Sequence, residues 1–555
     1  MTDAVNIAHA LTRMAIAQAD TIALRVPRGK ARAGALPDYD EISYAALDAA
    51  SDATAAALAH AGITRGMKAA LMVRPGRELF VLMFALFKLG AVPVLIDPGI
   101  DRRALKQCLD EAAPEAFIGI ALAQFARLVL RWAARSVRIV VSVESRYGWC
   151  GQRLDGLRAA SAEVAFVPAP TRGEELAAIL FTSGSTGVPK GVEYQHRHFV
   201  AQVSLLGDAF RIAPGMVNMP TFPPFALFDP ALGSTSVIPD MDPTRPARAD
   251  PARLAATVAR YGVDMLFGSP ALLDTLSRHC VEHGVVLDGV RIAISAGAPM
   301  SARVLERVRR CLPPDAQVYT PYGATECLPV SVVESRELLG AARALTESGA
   351  GTCVGRVLAA NRVRIIAIDD APIAEWSDER LAAAGAVGEI TVAGPTVTER
   401  YHARDAATAL AKIREGDQIV HRMGDLGYFD PEGRLWFCGR KSQRVRTEQG
   451  ELYTEQVEPI FNAVAGVFRS ALVGVPANGG FAIPVLCVQP EAGPVGAGLE
   501  RIEAEIRNLA ASRAHTRGIT VVLFRADFPV DIRHNAKIGR EKLAVWAATQ
   551  LRRRR

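Results

Sequence analysis

Apolar residues recur at helical spacing through residues 44–58, YAALDAASDATAAAL, which predicts an amphipathic helix. The pattern then changes to MKAALMV at 67–73, a short continuous apolar run of the kind a buried strand shows. A second helix is predicted over 77–89, RELFVLMFALFKL, stopped by Gly90, and AVPVLIDP at 91–98 supplies the next strand and turn. Strand, helix, strand in this order is the rhythm of a parallel sheet with helical crossovers. It returns at 250–261, a predicted helix leading into VDMLFGSP, and at 291–295 and 317–320, predicted buried strands that end at Gly or Pro.

One segment departs from this rhythm. Over 120–138 the arginines at 127, 131, 135 and 138 fall on one helical face, opposite Phe125, Leu128, Val129 and Trp132. Contact with a membrane or a partner is one reading of such a helix. An ordinary surface helix with a solvated basic face is the other, and the one preferred. Near residue 430 the character of the chain shifts: Asp430-Pro431-Glu432-Gly433 is a turn signal before RLWFCG, and a polar stretch over 440–450 follows. A hinge is expected there, dividing an N-terminal domain, 1–439, from a C-terminal domain, 447–555, through a linker at 440–446.

Composition narrows the class. A chain of 555 residues exceeds what a single hydrophobic core supports, and half the residues are apolar with only 6% aromatic, which suits an α/β protein. The net charge of +6 is dispersed except for the arginines at 552–555, so nucleic acid is not indicated. That terminal run reads as a solvated end, with weak attraction to anionic lipid or an acidic partner as the alternative. Residues 1–19 carry Asp3, His9 and Arg13 and no continuous apolar core, so no secretory signal is expected and a cytoplasmic location is. No transmembrane segment is expected either, because the longest clean apolar run, 79–87, is too short to cross a bilayer. The eight cysteines form no Cys-x-x-Cys pair and no cluster with histidine, and they read as reduced, buried hydrophobes.

The most informative segment is AAILFTSGSTGVPKGV at 177–192, where a buried strand runs into a Thr/Ser/Gly loop closing on Pro189, Lys190 and Gly191. Such a loop suits polyphosphate: glycines let backbone N–H groups approach oxygens, hydroxyls add donors, and a lysine adds charge. It is not a Walker loop, which needs Gly-Lys followed by Ser or Thr. A flexible linker would not be flanked by AAILF.

TSGSTGVPKG resembles the signature loop of the adenylate-forming superfamily, which holds acyl-CoA synthetases, luciferases and peptide-synthetase adenylation domains. YGATE at 322–326, GEITVAG at 388–394, RMGDLGY at 422–428, GRK at 439–441 and NAKIGR at 535–540 resemble its later motifs, in the same order. The chain is identified as a member on their combination. The resemblance implies an α/β fold: a large N-terminal adenylation domain of stacked α/β subdomains plus a small β subdomain, and a smaller, mobile α+β C-terminal domain carrying a catalytic lysine. It implies ATP and Mg²⁺. Thr182, Ser183, Gly184, Ser185, Thr186, Gly187 and Lys190 would hold the β- and γ-phosphates. Tyr322 and Gly323 would lie against adenine, with Gly297, Ala298 and Pro299 beneath it. Thr325 would meet the α-phosphate, and Glu326, with Thr182, would bind Mg²⁺, a cation satisfied by one or two carboxylates plus phosphate oxygens. Asp425 would accept both ribose hydroxyls and Arg440 would support the ribose. Lys537 would neutralise charge building on the phosphoryl oxygens as a carboxylate attacks.

The acyl side departs from the fatty-acyl members. Where many carry Pro-x-Phe-His, this chain has Pro223-Pro224-Phe225-Ala226 followed by Leu227-Phe228-Asp229-Pro230. With FGSP at 267–270 and YGATECLPVS at 322–331, the stretch looks most like the β-lactone synthetases of bacterial long-chain olefin formation. That resemblance assigns Phe225, Ala226, Phe228, Gly268, Ser269, Cys327 and Leu328 to the substrate pocket. It implies a long-chain 2-alkyl-3-hydroxy acid as substrate, and leaves room for a complex with other enzymes of olefin formation. Either the carboxylate, as family precedent has it, or the hydroxyl takes AMP first. Gln449 and Glu451, near the hinge, are poor neighbours for an anionic thiol acceptor. An acyl-CoA synthetase or acyl-AMP ligase is the second reading. A non-catalytic nucleotide-binding regulator is the third, disfavoured by Lys190, Glu326, Asp425 and Lys537. A serine hydrolase lacks its Gly-x-Ser-x-Gly elbow.

Overall fold

A computed structural model describes residues 5–29, 35–97, 99–144, 151–182, 189–491, 496–530 and 538–554, without the side chains of residues 478 and 554. Ser43 caps the helix Tyr44–His60, its hydroxyl accepting from the Ala46 amide. The helix Arg77–Leu89 buries everything from Leu79 to Lys88 and ends on Gly90, which takes a left-handed φ of 70°. Each of its buried leucines and phenylalanines stabilises the fold by about 1.5–3 kcal/mol relative to an exposed one. The buried Lys88 ammonium meets Asp48 at 2.7 Å and Asp52 at 2.6 Å, both on helix Tyr44–His60, so the two helices share a charge satisfied between them.

A seven-stranded sheet forms the first layer, in the spatial order Gln152–Arg153, Ile139–Val143, Ala116–Ile120, Lys68–Met72, Val92–Leu95, Leu176–Phe181 and Gly191–Gln195. It is parallel up to the last pair, which runs antiparallel. A fourteen-stranded sheet forms the second. Its parallel part holds Thr235–Val237, Val217–Pro220, Met265–Gly268, Ile292–Ser295 and Gln317–Ala324. Beyond these it turns antiparallel through Cys327–Glu334 and Thr352–Val357 into Leu435–Arg440, Gln418–Phe429, Gly388–Ala393 and Arg362–Ile366. The C-terminal part is a three-stranded sheet, Val467–Pro476, Ala482–Pro490 and Val521–Phe524, with helices Thr454–Asn462, Ala497–Ala511 and Arg540–Arg554 around cores of its own. The fold is thus α/β with a large N-terminal sheet region and a smaller C-terminal domain.

Two segments differ from what the apolar pattern predicts. The strand expected at 317–320 continues to Ala324 and folds back on Cys327–Glu334, because the Ala324–Cys327 pair closes a hairpin. The helix expected over 120–138 spans only Ala121–Leu130 and is stopped by Arg131 at a left-handed φ of 55°. Trp132 is buried, but Phe125, Leu128 and Val129 are exposed, and the one buried residue of the helix is Gln124, whose amide donates to the Val141 carbonyl at 3.0 Å. Arg131, Arg135 and Arg138 are exposed, as a solvated basic face requires, but they lie beyond the end of the helix, whose own Leu122, Phe125, Leu128 and Val129 are half or more exposed. No helix among the described residues is long and apolar enough to cross a membrane. The seven described cysteines are buried and unpaired.

Candidate active site

The hairpin that carries YGATE places Thr325 and Glu326 at its tip, between Ala324 and Cys327. Two-residue hairpin turns favour residues with positive φ, usually Gly or Asn, and neither Thr325 nor Glu326 adopts one. The tip is instead clamped from outside. The Tyr194 hydroxyl donates to the Thr325 carbonyl, and the Thr398 amide and hydroxyl donate to the Glu326 carbonyl at 2.9 and 3.1 Å. The Tyr401 hydroxyl donates to Glu326 Oε1. Lys190 Nζ lies 4.7 Å from the centre of the Tyr401 ring, so the lysine and the glutamate bracket one tyrosine. Behind the tip, the buried Lys412 ammonium donates to the Thr398 carbonyl and hydroxyl. Burial pulls that ammonium down to about 8, with Glu326 acting in the opposite sense.

Asp425 stands directly opposite Arg440 on the neighbouring antiparallel strand. Its carboxylate meets the guanidinium at 2.9 Å and accepts the Tyr322 hydroxyl at 2.7 Å. Burial raises the Asp425 carboxyl above the usual range, while Arg440 and Tyr322 act to lower it. The Asp425 charge in turn holds the Arg440 guanidinium above its ordinary value. Burial, then Asp425, pushes the Tyr322 phenol well up, so it stays a hydrogen-bond donor. Gly297 adopts φ 95°, which side-chain-bearing residues rarely tolerate, and brings the Ala298-Pro299 backbone against the same space.

The loop after strand Leu176–Phe181 is closed at its base from both sides: the Thr182 amide donates to the Lys190 carbonyl at 3.0 Å, and the Lys190 amide to Thr182 Oγ1 at 3.3 Å. Ser183, Gly184, Ser185, Thr186 and Gly187 lie outside the described residues, as does Lys537.

A cavity of 1830 Å³ joins these groups to an aromatic compartment. Thr182, Lys190, Gly297, Ala298, Pro299, Tyr322, Gly323, Thr325, Glu326, Asp425 and Arg440 all line it. At the other end the rings of Phe87 and Phe199 lie 5.6 Å apart, those of Phe199 and Phe228 6.3 Å, and those of Phe225 and Phe267 stack at 3.7 Å. Of the proposed substrate contacts, Phe225, Phe228, Ser269 and Leu328 line the cavity, and Ala226, Gly268 and Cys327 do not. Ala226 is fully buried in the core beneath. A Cβ on Gly268 would point at Leu272 and Leu273, 3.1 and 3.3 Å away, rather than into the cavity. Cys327 Sγ contacts Met423 Sδ at 3.3 Å, and burial pushes its thiol up to about 12, which makes it inert.

Four residues of the site carry no signal used in the sequence reading: Tyr194, Thr398, Tyr401 and Lys412. Thr398 and Tyr401 follow closely on GEITVAG, and that proximity was the available cue. Lys412 sits in the charged run AKIREGD, which reads as surface. Glu451 is no obstacle to an anionic acceptor: its carboxylate pairs with Arg444 at 2.8 Å and Arg446 at 3.3 Å, so its charge is compensated. Gln449 is exposed and does not line the cavity. The residue after Arg440 is pinned: Lys441 Nζ meets Glu389 at 2.9 Å and the Asp369 carbonyl at 2.8 Å, and Glu389 also pairs with Arg422 at 2.6 Å.

Comparison with known proteins adds three observations. Residues 11–402 match the model of the AMP-binding enzyme family. The chain is 60% identical over 555 residues to the olefin beta-lactone synthetase of Stenotrophomonas maltophilia, covering 99% of both chains, and 59% identical over 556 residues to that of Xanthomonas campestris pv. campestris, with the same coverage. Among solved structures, the amide bond synthetase McbA of Marinactinospora thermotolerans superposes with a TM-score of 0.77 at 21% identity, covering 97% of this chain and 99% of that one.

Proposed function

The chain belongs to the AMP-binding enzyme family, and from that premise we propose that it is an ATP-dependent β-lactone synthetase. It adenylates a long-chain 2-alkyl-3-hydroxy acid and closes it to a β-lactone, releasing AMP and pyrophosphate, in long-chain olefin formation. The observation that carries this reading is the continuity of the cavity: charged groups with strand-fixed geometry at one end, an aromatic compartment for alkyl chains at the other, and no wall between. The identity to olefin beta-lactone synthetases over the whole chain selects this chemistry from the others the family supports.

The residues present suit the assigned roles. Asp425, aligned by Arg440 and Tyr322, offers a carboxylate to the two ribose hydroxyls. Lys190 and the Thr182 hydroxyl serve the phosphates. Among the described residues no three His, Cys, Asp or Glu side chains form a metal cage, and Mg²⁺ does not require one, since one carboxylate with phosphate oxygens and water suffices. Glu326, oriented by Tyr401, and Thr182 would hold that ion, whose contribution when bound is to neutralise phosphate charge. The substrate carboxylate oxygen bonds to the α-phosphorus as the bond to pyrophosphate breaks, with the Lys537 ammonium balancing the charge that develops. The 3-hydroxyl oxygen then bonds to the carboxyl carbon as the bond from that carbon to the bridging oxygen breaks; AMP leaves with the bridging oxygen, and the hydroxyl proton passes to solvent. Tethering nucleophile to electrophile supplies up to about 7–11 kcal/mol of the barrier, which helps offset ring strain.

The test is product analysis by mass spectrometry. With ATP, Mg²⁺ and a 2-alkyl-3-hydroxy acid the protein gives AMP, pyrophosphate and a β-lactone without coenzyme A, and the analogue lacking the 3-hydroxyl stalls. A thioester formed only when coenzyme A is added, with no lactone under either condition, would overturn the reading in favour of an acyl-CoA ligase.

A further inference from the structure

The helix Ala121–Leu130 packs on the core through Ala123, Gln124, Ala126 and Leu130 and leaves its other large apolar side chains exposed. Its glutamine is buried and bonded to strand Ile139–Val143, while Leu122, Phe125, Leu128 and Val129 are 70, 55, 51 and 61% exposed. An apolar ridge of this size needs a reason on a protein surface. Two further observations give it one. From 116 to 143 the chain holds four arginines and no carboxylate, and Arg131, Arg135 and Arg138, just beyond the helix, are exposed, whereas Trp132 and Ala133 anchor the same turn in the core. Asp110, which reaches this turn, is taken up by the Ala133 amide at 3.0 Å and Lys106 at 2.6 Å. Leu122 of the ridge and, on the inner side of the helix, Ala123 and Ala126 line the substrate cavity together with the exposed Arg74. The ridge is therefore the outer lip of the cavity.

We propose that this lip docks on an anionic phospholipid bilayer, with Leu128 and Val129 entering the acyl boundary, the three arginines engaging lipid phosphates, and the cavity mouth held against the membrane. An acid with two long alkyl chains resides in lipid, and a mouth at the interface spares it a passage through water. The substrate class is taken from the reading above, but the surface is tested by vesicle binding, so either can fail alone.

The experiment is cosedimentation of the full chain with vesicles, either pure phosphatidylcholine or phosphatidylcholine with 30 mol% phosphatidylglycerol as an order-of-magnitude anionic content (roughly that of a bacterial inner leaflet). Binding is expected to the anionic vesicles and to weaken with salt. Each arginine at an anionic surface strengthens binding about fivefold, so R131Q/R135Q/R138Q should lose about a hundredfold. L128Q/V129Q should lose about tenfold, and both variants should keep wild-type turnover of a short, water-soluble hydroxy acid. Wild-type binding by both variants, no binding to either vesicle, or a concentration-dependent oligomer dissolved by L128Q/V129Q would each overturn the proposal, the last by showing that the lip faces protein.

Discussion

At the polar end of the cavity Asp425 and Glu326 sit on a strand and at a hairpin tip, and each is fixed by partners from other elements: Asp425 by Arg440 and Tyr322, Glu326 by Tyr401 at its carboxylate and Thr398 at its backbone carbonyl. At the apolar end the walls come from short helices and helix faces, Arg77–Leu89, His196–Phe210 and Pro223–Ala226, and rings pack on rings with no directional bond. Hydrogen-bonded pairs tolerate little displacement, while aromatic packing yields by rotamer and small shifts. The proposed chemistry is therefore placed where geometry is stiff, and the proposed alkyl chains where it is compliant.

The largest effect that would break this contrast is at Lys537. Lys537→Ala should lower adenylate formation by about a thousandfold or more while leaving ATP affinity nearly unchanged, because a transition-state charge is lost and the ground-state contacts are not. Single-turnover assay with separate nucleotide titration checks it, and turnover near wild type would remove the lysine from the reaction. Next, Asp425→Ala should raise the KM for ATP by roughly tenfold to a hundredfold and leave the KM for the hydroxy acid within about twofold, since a buried charge-assisted contact to one substrate is removed. Equal changes in both constants would mean the two ends are not independent.

Smaller effects belong to the compliant end. Phe228→Ala should shift preference among acids by about tenfold, the scale of a few methylenes in an apolar pocket, with ATP kinetics unchanged. Competition between acids of different length measures it. The last concerns stability rather than kinetics, at Asp229, fully buried between Asn218 and Ser234 beside the aromatic compartment, where burial pushes its carboxyl up to about 7. The raised value means that the folded protein keeps a proton the unfolded chain gives up near pH 4, so stability falls as pH rises from about 4 to about 7 and is level above. Asp229→Asn should flatten that part of the unfolding profile; thermal melts across this range that decline in parallel for both proteins would contradict it.

The same division explains what could be read from the sequence. Thr182, Lys190, Tyr322, Glu326, Asp425 and Arg440 occur in short contiguous runs, each local in sequence because a strand end or hairpin tip presents neighbouring residues together. The parallel strands and the two long helices near the start were legible from periodicity for a similar reason. The aromatic compartment was only partly legible: Phe225 and Phe228 stood in a recognisable run, but Phe87 and Phe199 are ordinary core positions by pattern, and only the tertiary fold brings them to the cavity. Ala226, Gly268 and Cys327 illustrate the converse, being neighbours in sequence of lining residues whose own side-chain positions face the packed core. Lys412 was invisible because nothing in a charged run announces burial.

The pairing of Asp425 with Arg440 has a mechanical consequence. Because the two residues share one rung of a sheet ladder, and Lys441 is tied by its ammonium to the Glu389 carboxylate and the Asp369 carbonyl, the chain is bolted to the large domain through residue 441, and beyond it the ion pairs of Arg444 and Arg446 with Asp370 tie the linker back. Any swing of the C-terminal domain has its fulcrum at Ser442 or after it, on the cavity's own rim. A nucleotide gripped by Asp425 would thus sit one residue pair from the pivot, where a rotating domain sweeps its shortest arc, while groups farther out on that domain travel the long one.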